Sequence, residues 1–103
     1  MKSIKVFISQ VMRDKTENEI LCERNIAIDK IKGIFSGINI VIIDSYFEDY
    51  NPKGSVPLKY LSKSLELLAD ADVAYFCSGW DTARGCRIEH QCAVEYGIDR
   101  IFD

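Results

Sequence analysis

Residues 72–98 of the chain have the sequence DVAYFCSGWDTARGCRIEHQCAVEYGI, which contains a strand, a loop and a helix in that order. The run 72–77 is mostly apolar and partly aromatic, which is typical of a buried strand. Beyond the loop 78–81, apolar residues recur at helical spacing until Gly97, and a glycine commonly follows a helix end. A strand that leads into a helix in this way is the repeating unit of a parallel α/β sheet.

Apolar runs predict three further strands, at residues 4–9, 37–44 and 98–102. The run 37–44, GINIVIID, is the most hydrophobic of all and is predicted to be the central strand. Since strands and helices alternate, consecutive strands are expected to be parallel and joined by right-handed crossovers.

Two further helices are predicted between these strands. The first covers about 16–35 and begins with a capping box of Thr16 and Glu19. The second covers about 57–69, starts with a proline and is capped by Ser55. The resulting order, βαβαβαβ, predicts one α/β domain over residues 1–103. Its architecture is a three-layer, Rossmann-like (flavodoxin-like) parallel sheet of about four strands with helices on both faces.

The composition is that of one small globular domain. The chain has 103 residues, of which 48% are hydrophobic and 28% charged, and its net charge is −3. A mildly acidic chain lacks the broad cationic face that binds nucleic acid polymers. One or two arginines are nevertheless enough to hold a nucleotide. No apolar run approaches the roughly 20 residues that span a membrane, and the N-terminus lacks a signal-peptide core. We therefore expect a cytoplasmic protein that binds neither membranes nor nucleic acid polymers.

The four cysteines, Cys22, Cys77, Cys86 and Cys92, form no C-x-x-C pair. In a reducing cytoplasm they are expected to be small, buried apolar residues. Cys86 and His90 stand four residues apart, a spacing that could bind zinc. The chain has one histidine, however, and no second pair to complete four ligands, so we expect no metal site and no cofactor.

Two charged residues interrupt the apolar faces of predicted helices. Glu89 falls inside the apolar arc of the third helix, and Arg24 falls in the middle of the apolar stripe of the first. Burial of either charge without a partner is costly. One interpretation is that Arg24 and Glu89 line a shared pocket and partly neutralise each other or a ligand. The alternatives are a purely structural ion pair, or a side chain that reaches water at a helix end.

Ligands of parallel α/β sheets bind beyond the carboxyl ends of the strands. Three loops follow those ends here, at residues 9–15, 44–56 and 78–84. The second loop is long and aromatic, with Tyr46, Phe47 and Tyr50. It is expected to cap a pocket or contact a second subunit, or else to be an ordinary packed surface loop.

The third loop and the helix after it carry the most unusual residues. Gly85 stands one helical turn before Glu89, so it removes side-chain bulk in front of that carboxylate. Asp81 or Thr82 can cap the helix, whose first N–H groups then favour an anion. Trp80 can stack on a base or sugar, or it can be a large apolar plug.

These residues, GWDTARGCRIEH above all, resemble an uncharacterised family of small proteins from phages, prophages and bacteria. That family lies within the nucleoside 2-deoxyribosyltransferase-like superfamily. The resemblance covers essentially the whole chain and is carried by the segments FISQVMRDKTENEILCERN, VIIDSYF, LSKSLELLADADVAYF and GWDTARGCRIEHQCAVEYGI.

The resemblance implies a reaction and a nucleophile. In characterised members of the superfamily, the glutamate of a Gly-x-x-x-Glu step attacks the anomeric carbon of a 2-deoxyribonucleoside and expels the base. A second base or water then takes the sugar. By resemblance this role falls on Glu89, and a carboxylate suits the oxocarbenium-like state of such a reaction. The first loop is likewise implied to cradle the ligand, and Arg13 or Arg24 to hold a phosphate.

The candidate catalytic residue is therefore Glu89. The candidate substrate-binding residues are Ser9, Gln10, Met12, Arg13, Arg24, Asp44, Ser78, Gly79, Trp80, Asp81, Arg84 and Gly85. Four positions depart from the pattern of the family or superfamily. Val11 and Asp14 replace a proline and a glycine of the first loop, Ala83 replaces an acidic residue that helps to hold the base, and Phe7 replaces a tyrosine.

We expect a nucleoside or nucleotide N-glycosidic enzyme, of the 2-deoxyribosyltransferase or deoxynucleoside 5′-monophosphate N-glycosidase type. The alternatives are a non-catalytic module of phage origin that binds or sequesters a nucleotide, and a structural partner protein in which Arg24 and Glu89 only fix the packing. The expected ligand is a small-molecule nucleoside or nucleotide. A homo-oligomer is expected because about 100 residues bury only a modest core, and the superfamily builds active sites at subunit interfaces.

Overall fold

The computed structural model describes residues 3–46, 54 and 56–103, along which four strands alternate with three helices. The strands are β1 (Ser3–Ser9), β2 (Asn39–Ile42), β3 (Val73–Phe76) and β4 (Asp99–Phe102). The helices are α1 (Glu17–Ile34), α2 (Val56–Leu68) and α3 (Arg84–Glu95), and a short 3₁₀ turn at Trp80–Thr82 precedes α3. All strand pairs are parallel, in the order β2-β1-β3-β4. The predicted three-layer, Rossmann-like fold is confirmed.

Two apolar cores lie on opposite faces of the sheet, because successive side chains of a strand point to opposite sides. The core between the sheet and α1 contains Val6, Ile8, Ala27, Ile31, Val73, Tyr75 and Cys77. The core between the sheet and the pair α2 and α3 contains Phe7, Leu68, Ala74, Phe76 and Ala93. Residues of β1 and β3 contribute to both cores, so these two strands form the centre of the molecule.

The most hydrophobic strand, β2, lies at an edge of the described sheet, so its predicted central position is wrong. Its residues alternate between exposed and half-buried, whereas β3 is buried throughout. Ile40 and Ile42 pack against the core under α1, while Val41 is 43% exposed on the other face. Strand order is decided by the crossovers, which are non-local, and the hydrophobicity of a single run does not report on them.

The helix ends agree only in part with the sequence prediction. The capping box of α1 is confirmed: Thr16 Oγ1 accepts the Glu19 N–H at 3.1 Å, and the Glu19 carboxylate accepts the Thr16 N–H at 3.0 Å. The predicted caps of α3 are wrong, because its N-cap is Ala83 without a side-chain hydrogen bond. Thr82 Oγ1 donates instead to the Gly79 carbonyl at 2.6 Å and closes the preceding 3₁₀ turn. Ser55, the predicted cap of α2, lies outside the described residues.

The cysteines are free thiols, of which Cys77 and Cys86 are buried and Cys92 is half-buried. Cys22 is exposed, so its predicted burial is wrong. It stands two residues after the buried Ile20, which turns its side chain to the outer face of α1. Across the described residues, no helix is long and apolar enough to cross a bilayer.

Candidate functional site

A cleft of about 1200 Å³ opens at the carboxyl edge of the sheet. Its walls are the end of β1 with the loop that follows, the first half of α2, and the start of α3. Ligands of parallel α/β proteins bind at this edge, because the loops there join strand ends to helix N-termini. The cleft is large enough for a nucleotide-sized ligand.

Glu89 lies in the wall of this cleft and is only 7% exposed. Its carboxylate Oε1 accepts a hydrogen bond of 2.6 Å from the hydroxyl of Ser9, the last residue of β1. Ser9 faces α3 because it follows Phe7 by two residues, and Phe7 packs on that side of the sheet. Burial raises the pKa of Glu89 to about 7, and the hydrogen bond from Ser9 opposes this shift. The predicted burial of this carboxylate is confirmed.

Arg24 is as buried as Glu89, at 7% exposure, but it does not line the cleft. Its Nη2 donates to the Ile43 carbonyl at 3.0 Å, and its buried Nη1 has no partner among the described residues. Burial lowers the pKa of Arg24, and the nearby Asp44 carboxylate opposes that change.

Arg24 and Glu89 form no ion pair with each other in the described part of the chain, so the interpretation of one shared, mutually neutralised pocket is wrong. The two residues belong to helices on opposite faces of the sheet, α1 and α3, and this layering separates them. The alternative of a structural pair between them fails for the same reason. Glu89 instead accepts a hydrogen bond from Ser9 at the end of β1, and Arg24 donates one to Ile43, the residue after β2.

The first loop places three predicted residues, Gln10, Met12 and Arg13, in the cleft wall. Gln10 is 7% exposed, and its Nε2 donates to the Ile20 carbonyl at 2.7 Å, which ties the loop to α1. Asp14 also lines the cleft, and its φ of 63° lies in the left-handed region. The glycine expected here from the family pattern is thus replaced without loss of the backbone conformation that favours glycine.

Three arginines line the cleft: Arg13, Arg84 and Arg87. The first two are among the predicted residues, whereas the helical pattern puts Arg87 on the outer side of α3. The cleft wraps around the first turns of this helix, where residues 82–89 all line it, so the pattern does not discriminate there. Gly85 faces open space, since a Cβ added to it meets no atom within 4 Å. Guanidinium groups beside open space favour an anionic ligand.

Seven predicted residues lie outside the cleft wall: Ser9 and Arg24, described above, and Asp44, Ser78, Gly79, Trp80 and Asp81. Trp80 stacks on His90 with ring centroids 4.4 Å apart, and it also packs on Phe76 at 5.4 Å. Of the two interpretations of Trp80, the structure therefore favours the apolar plug. Its ring fills the angle between α3 and the ends of β3 and β4.

Helix α2 packs beside α3 and forms a further part of the cleft wall, where the sequence predicts no site residue. Pro57, Tyr60, Leu61 and Ser64 line the cleft, at the i, i+3, i+4, i+7 spacing of one helical face. That spacing is visible in the sequence and is the signal that could have identified this wall. Of the aromatic residues predicted to cap a pocket, Tyr46 lines the cleft, and Phe47 and Tyr50 lie outside the described residues.

Cys86 is the other buried titratable group at this point of the cleft wall. Burial raises the pKa of its thiol to about 11, which keeps it protonated and a weak nucleophile at neutral pH. Among the described residues, no group of three His, Cys, Asp or Glu side chains is arranged to hold a metal ion. Glu89 is therefore the buried group of the described cleft wall that burial brings close to its pKa at neutral pH.

These features define a Rossmann-like α/β protein with a buried carboxylate in an arginine-lined cleft. No protein-family model matches the chain, and no curated protein matches its sequence. The fold is similar to that of a conserved protein from Enterococcus faecalis V583, whose crystal structure aligns over 98% of this chain with a TM-score of 0.66 and 13% identity. The chain spans 63% of the length of that protein. At this identity the similarity concerns the fold alone.

Proposed function

We propose that the protein cleaves or exchanges the N-glycosidic bond of a deoxynucleoside or its 5′-monophosphate, with Glu89 as the nucleophile. The observation that carries the proposal is the carboxylate itself, which is 7% exposed, lies in the wall of a ligand-sized cleft and has no cation bound to it in the described structure. A buried carboxylate without a cation weakens the fold. A chemical role is therefore a better account of Glu89 than packing.

The surroundings of Glu89 suit an oxocarbenium-like transition state. In a site with little water, a carboxylate attracts the developing positive charge of a sugar more strongly than it does in bulk solvent. Attack by Glu89 forms a bond to the anomeric carbon while the bond to the base breaks, and the base leaves with the electron pair. Water or a second base then attacks the same carbon and releases the carboxylate. Ser9 occupies Oε1, so we assign Oε2 to the sugar.

The three arginines of the cleft support a 5′-monophosphate over an unphosphorylated nucleoside. Arg13, Arg84 and Arg87 are exposed and lie in the same cleft as Glu89. Guanidinium groups bind phosphate oxygens through paired, charge-assisted hydrogen bonds. Arg24, the other phosphate-binding candidate of the sequence analysis, donates to a backbone carbonyl outside the cleft and is not part of this proposal.

The second candidate is a module that binds or sequesters a nucleotide without turnover. The observation that favours it is the burial of Glu89, which raises its pKa to about 7 and so leaves part of this group neutral at neutral pH. A neutral carboxyl group is not a nucleophile, but it still donates and accepts hydrogen bonds to a bound ligand. Both candidates use the same cleft, so they differ only in whether the ligand is recovered intact.

Incubation with the deoxynucleoside 5′-monophosphates, followed by chromatography of free base, tests the proposal. Base release by the wild-type protein should fall by about a thousandfold or more in Glu89→Gln, since loss of a nucleophile commonly costs at least this much. Glu66→Gln, an exposed glutamate of α2 outside the cleft wall, is the matched control and should retain full activity. Because only the ionised carboxylate attacks, the rate should rise with pH through about 7.

The remaining outcomes separate the candidates. Undiminished release by Glu89→Gln excludes Glu89 as the nucleophile. Absence of release, together with calorimetric binding of a nucleotide that is recovered intact, supports the binding module instead. Neither release nor binding of any nucleotide rejects both.

A further inference from the structure

Asp14 has a left-handed backbone conformation, which aspartate adopts more readily than most residues other than glycine and asparagine. Its φ of 63° is the only positive value at a non-glycine residue within residues 3–46, 54 and 56–103. It follows Arg13 in a tight turn in which the Lys15 N–H donates to the Met12 carbonyl at 3.3 Å. An L-residue in this region costs roughly 1 kcal/mol relative to glycine. The Asp14 side chain is exposed and lies in the cleft wall, so it is accessible to a bound ligand.

The Asp14 carboxylate has no hydrogen bond or ion pair within the described residues, although three arginines line the same cleft. Glu89 is likewise without a cation, and these two are the acidic residues of the described cleft wall. The cleft thus presents two carboxyl groups and three guanidinium groups that do not neutralise one another. A ligand that complements both sets carries an anionic group and also hydrogen-bond donors.

We infer that Asp14 recognises the base: its carboxylate accepts a hydrogen bond from an amino group of a purine or pyrimidine. This inference rests on the proposed function, in which Glu89 is occupied by the sugar and the arginines by the phosphate. Asp14 is then the remaining acidic group for the donor-bearing edge of the ligand. The substrate class is accordingly a nucleotide with an amino-substituted base, in preference to the same nucleotide without the amino group.

Two substitutions distinguish an effect of the Asp14 carboxylate from an effect of its backbone conformation. Asp14→Asn keeps the shape of the side chain and its tolerance of positive φ but removes the charge. Asp14→Gly removes the side chain and relieves the backbone, so it should fold at least as stably as wild type. Asp29→Asn, an exposed aspartate of α1 outside the cleft, changes the net charge by the same amount and serves as the control.

Calorimetric titration measures the affinities, in protein that also carries Glu89→Gln so that the ligand stays intact. The probes are deoxyadenosine 5′-monophosphate, its analogue without the 6-amino group, and its 3′-deoxy analogue. In protein that retains Asp14, the analogue without the 6-amino group should bind about tenfold more weakly than deoxyadenosine 5′-monophosphate. This is the usual effect of losing a hydrogen bond to a charged partner. Asp14→Asn and Asp14→Gly should abolish this preference, and Asp29→Asn should retain it.

Several results overturn the assignment of Asp14 while leaving the proposed function intact. The preference can persist in both Asp14 variants, or the protein that retains Asp14 can show none. The variants can change the response to the 3′-hydroxyl group instead, which makes Asp14 a sugar contact. A uniform rise in affinity for all three probes shows that Asp14 only repels the phosphate. Failure of all three probes to bind, in a protein that also neither releases base from nor binds any deoxynucleoside 5′-monophosphate, rejects the proposed function and this inference with it.

Discussion

Arg24 and Glu89 give the same signal in the sequence and occupy two different environments in the fold. Each is a charge in the apolar stripe of a helix, and each is 7% exposed. Arg24, on α1, donates to the backbone carbonyl of Ile43 outside the cleft. Glu89, on α3, lies in the cleft wall and accepts a hydrogen bond from the Ser9 hydroxyl. A charge in an apolar stripe therefore predicts burial, while the partner and the access to a cleft decide what the buried charge can do.

The chemistry of the two groups adds to this difference. A guanidinium group has five donors and stays protonated, so carbonyl oxygens at a strand end can hold it for purely structural reasons. A carboxyl group can change its protonation state near neutral pH once burial raises its pKa. Of the two residues, only Glu89 combines such a change with contact to a ligand-sized space.

The largest expected effect is the stabilisation of the fold by Glu89→Gln at alkaline pH. The pKa of Glu89 is about 7 in the folded protein against an ordinary value of 4.5, so the folded state holds this proton more tightly than the unfolded chain. The contribution of Glu89 to stability is fully present below about pH 4.5 and is lost as the pH rises through about 7. Glutamine avoids this loss and should raise the free energy of unfolding by about 3 kcal/mol at pH 9.

Denaturant unfolding at pH 9 and pH 4 measures this effect, which should be close to zero at the lower value. Glu66→Gln controls for the loss of a surface charge and should show no such pH dependence. A Glu89→Gln protein that is no more stable than wild type at pH 9 would show that the carboxylate is well solvated, and the contrast with Arg24 would disappear.

The next effect concerns the hydrogen bond that holds Glu89. Ser9→Ala removes a donor to the carboxylate, so the pKa of Glu89 should rise further, by about one unit for a bond to a charged group. Carbon-13 NMR titration of the glutamate side chains measures this pKa without any ligand. Ser45→Ala is the matched control, because Ser45 is also a buried serine but donates to the Ile8 carbonyl. An unchanged pKa in Ser9→Ala would mean that solvent replaces the serine hydroxyl.

The sequence was informative for most local features, with the caps of α3 as an exception. The capping box of Thr16 and Glu19 and the periodicities of α1 and α3 depend on residues close together in the chain, and all are present in the structure. The place of β2 was not predictable in this way. Strand order depends on crossovers between distant segments, and the apolar run of β2 is explained by one buried face at the edge of the sheet.

Prediction of the site from the sequence is limited in the same way, because part of the site depends on how distant segments pack. The burial of Glu89 follows from its place in a helical arc, and it was predicted. The wall formed by α2 and the separation of Arg24 from Glu89 depend on which face of the sheet each helix covers, which periodicity alone does not reveal. The residue type of Trp80 suits a ligand contact, yet its packing on His90 and Phe76, between α3 and the strand ends, is a tertiary property.

The smallest expected effect is on ligand affinity when Arg24 is replaced, and it tests the comparison most directly. Arg24→Met should change the affinity for deoxyadenosine 5′-monophosphate less than about twofold, because the guanidinium group lies outside the cleft wall. Arg84→Met, which removes the same charge from the wall, should weaken binding by about tenfold. The stability of Arg24→Met should remain close to that of wild type, since an apolar side chain of similar length replaces a buried charge. If Arg24→Met instead weakens binding as much as Arg84→Met, the ligand reaches Arg24 in the complex. In that case, the position of Arg24 outside the cleft of the free protein does not prevent its contact with the ligand.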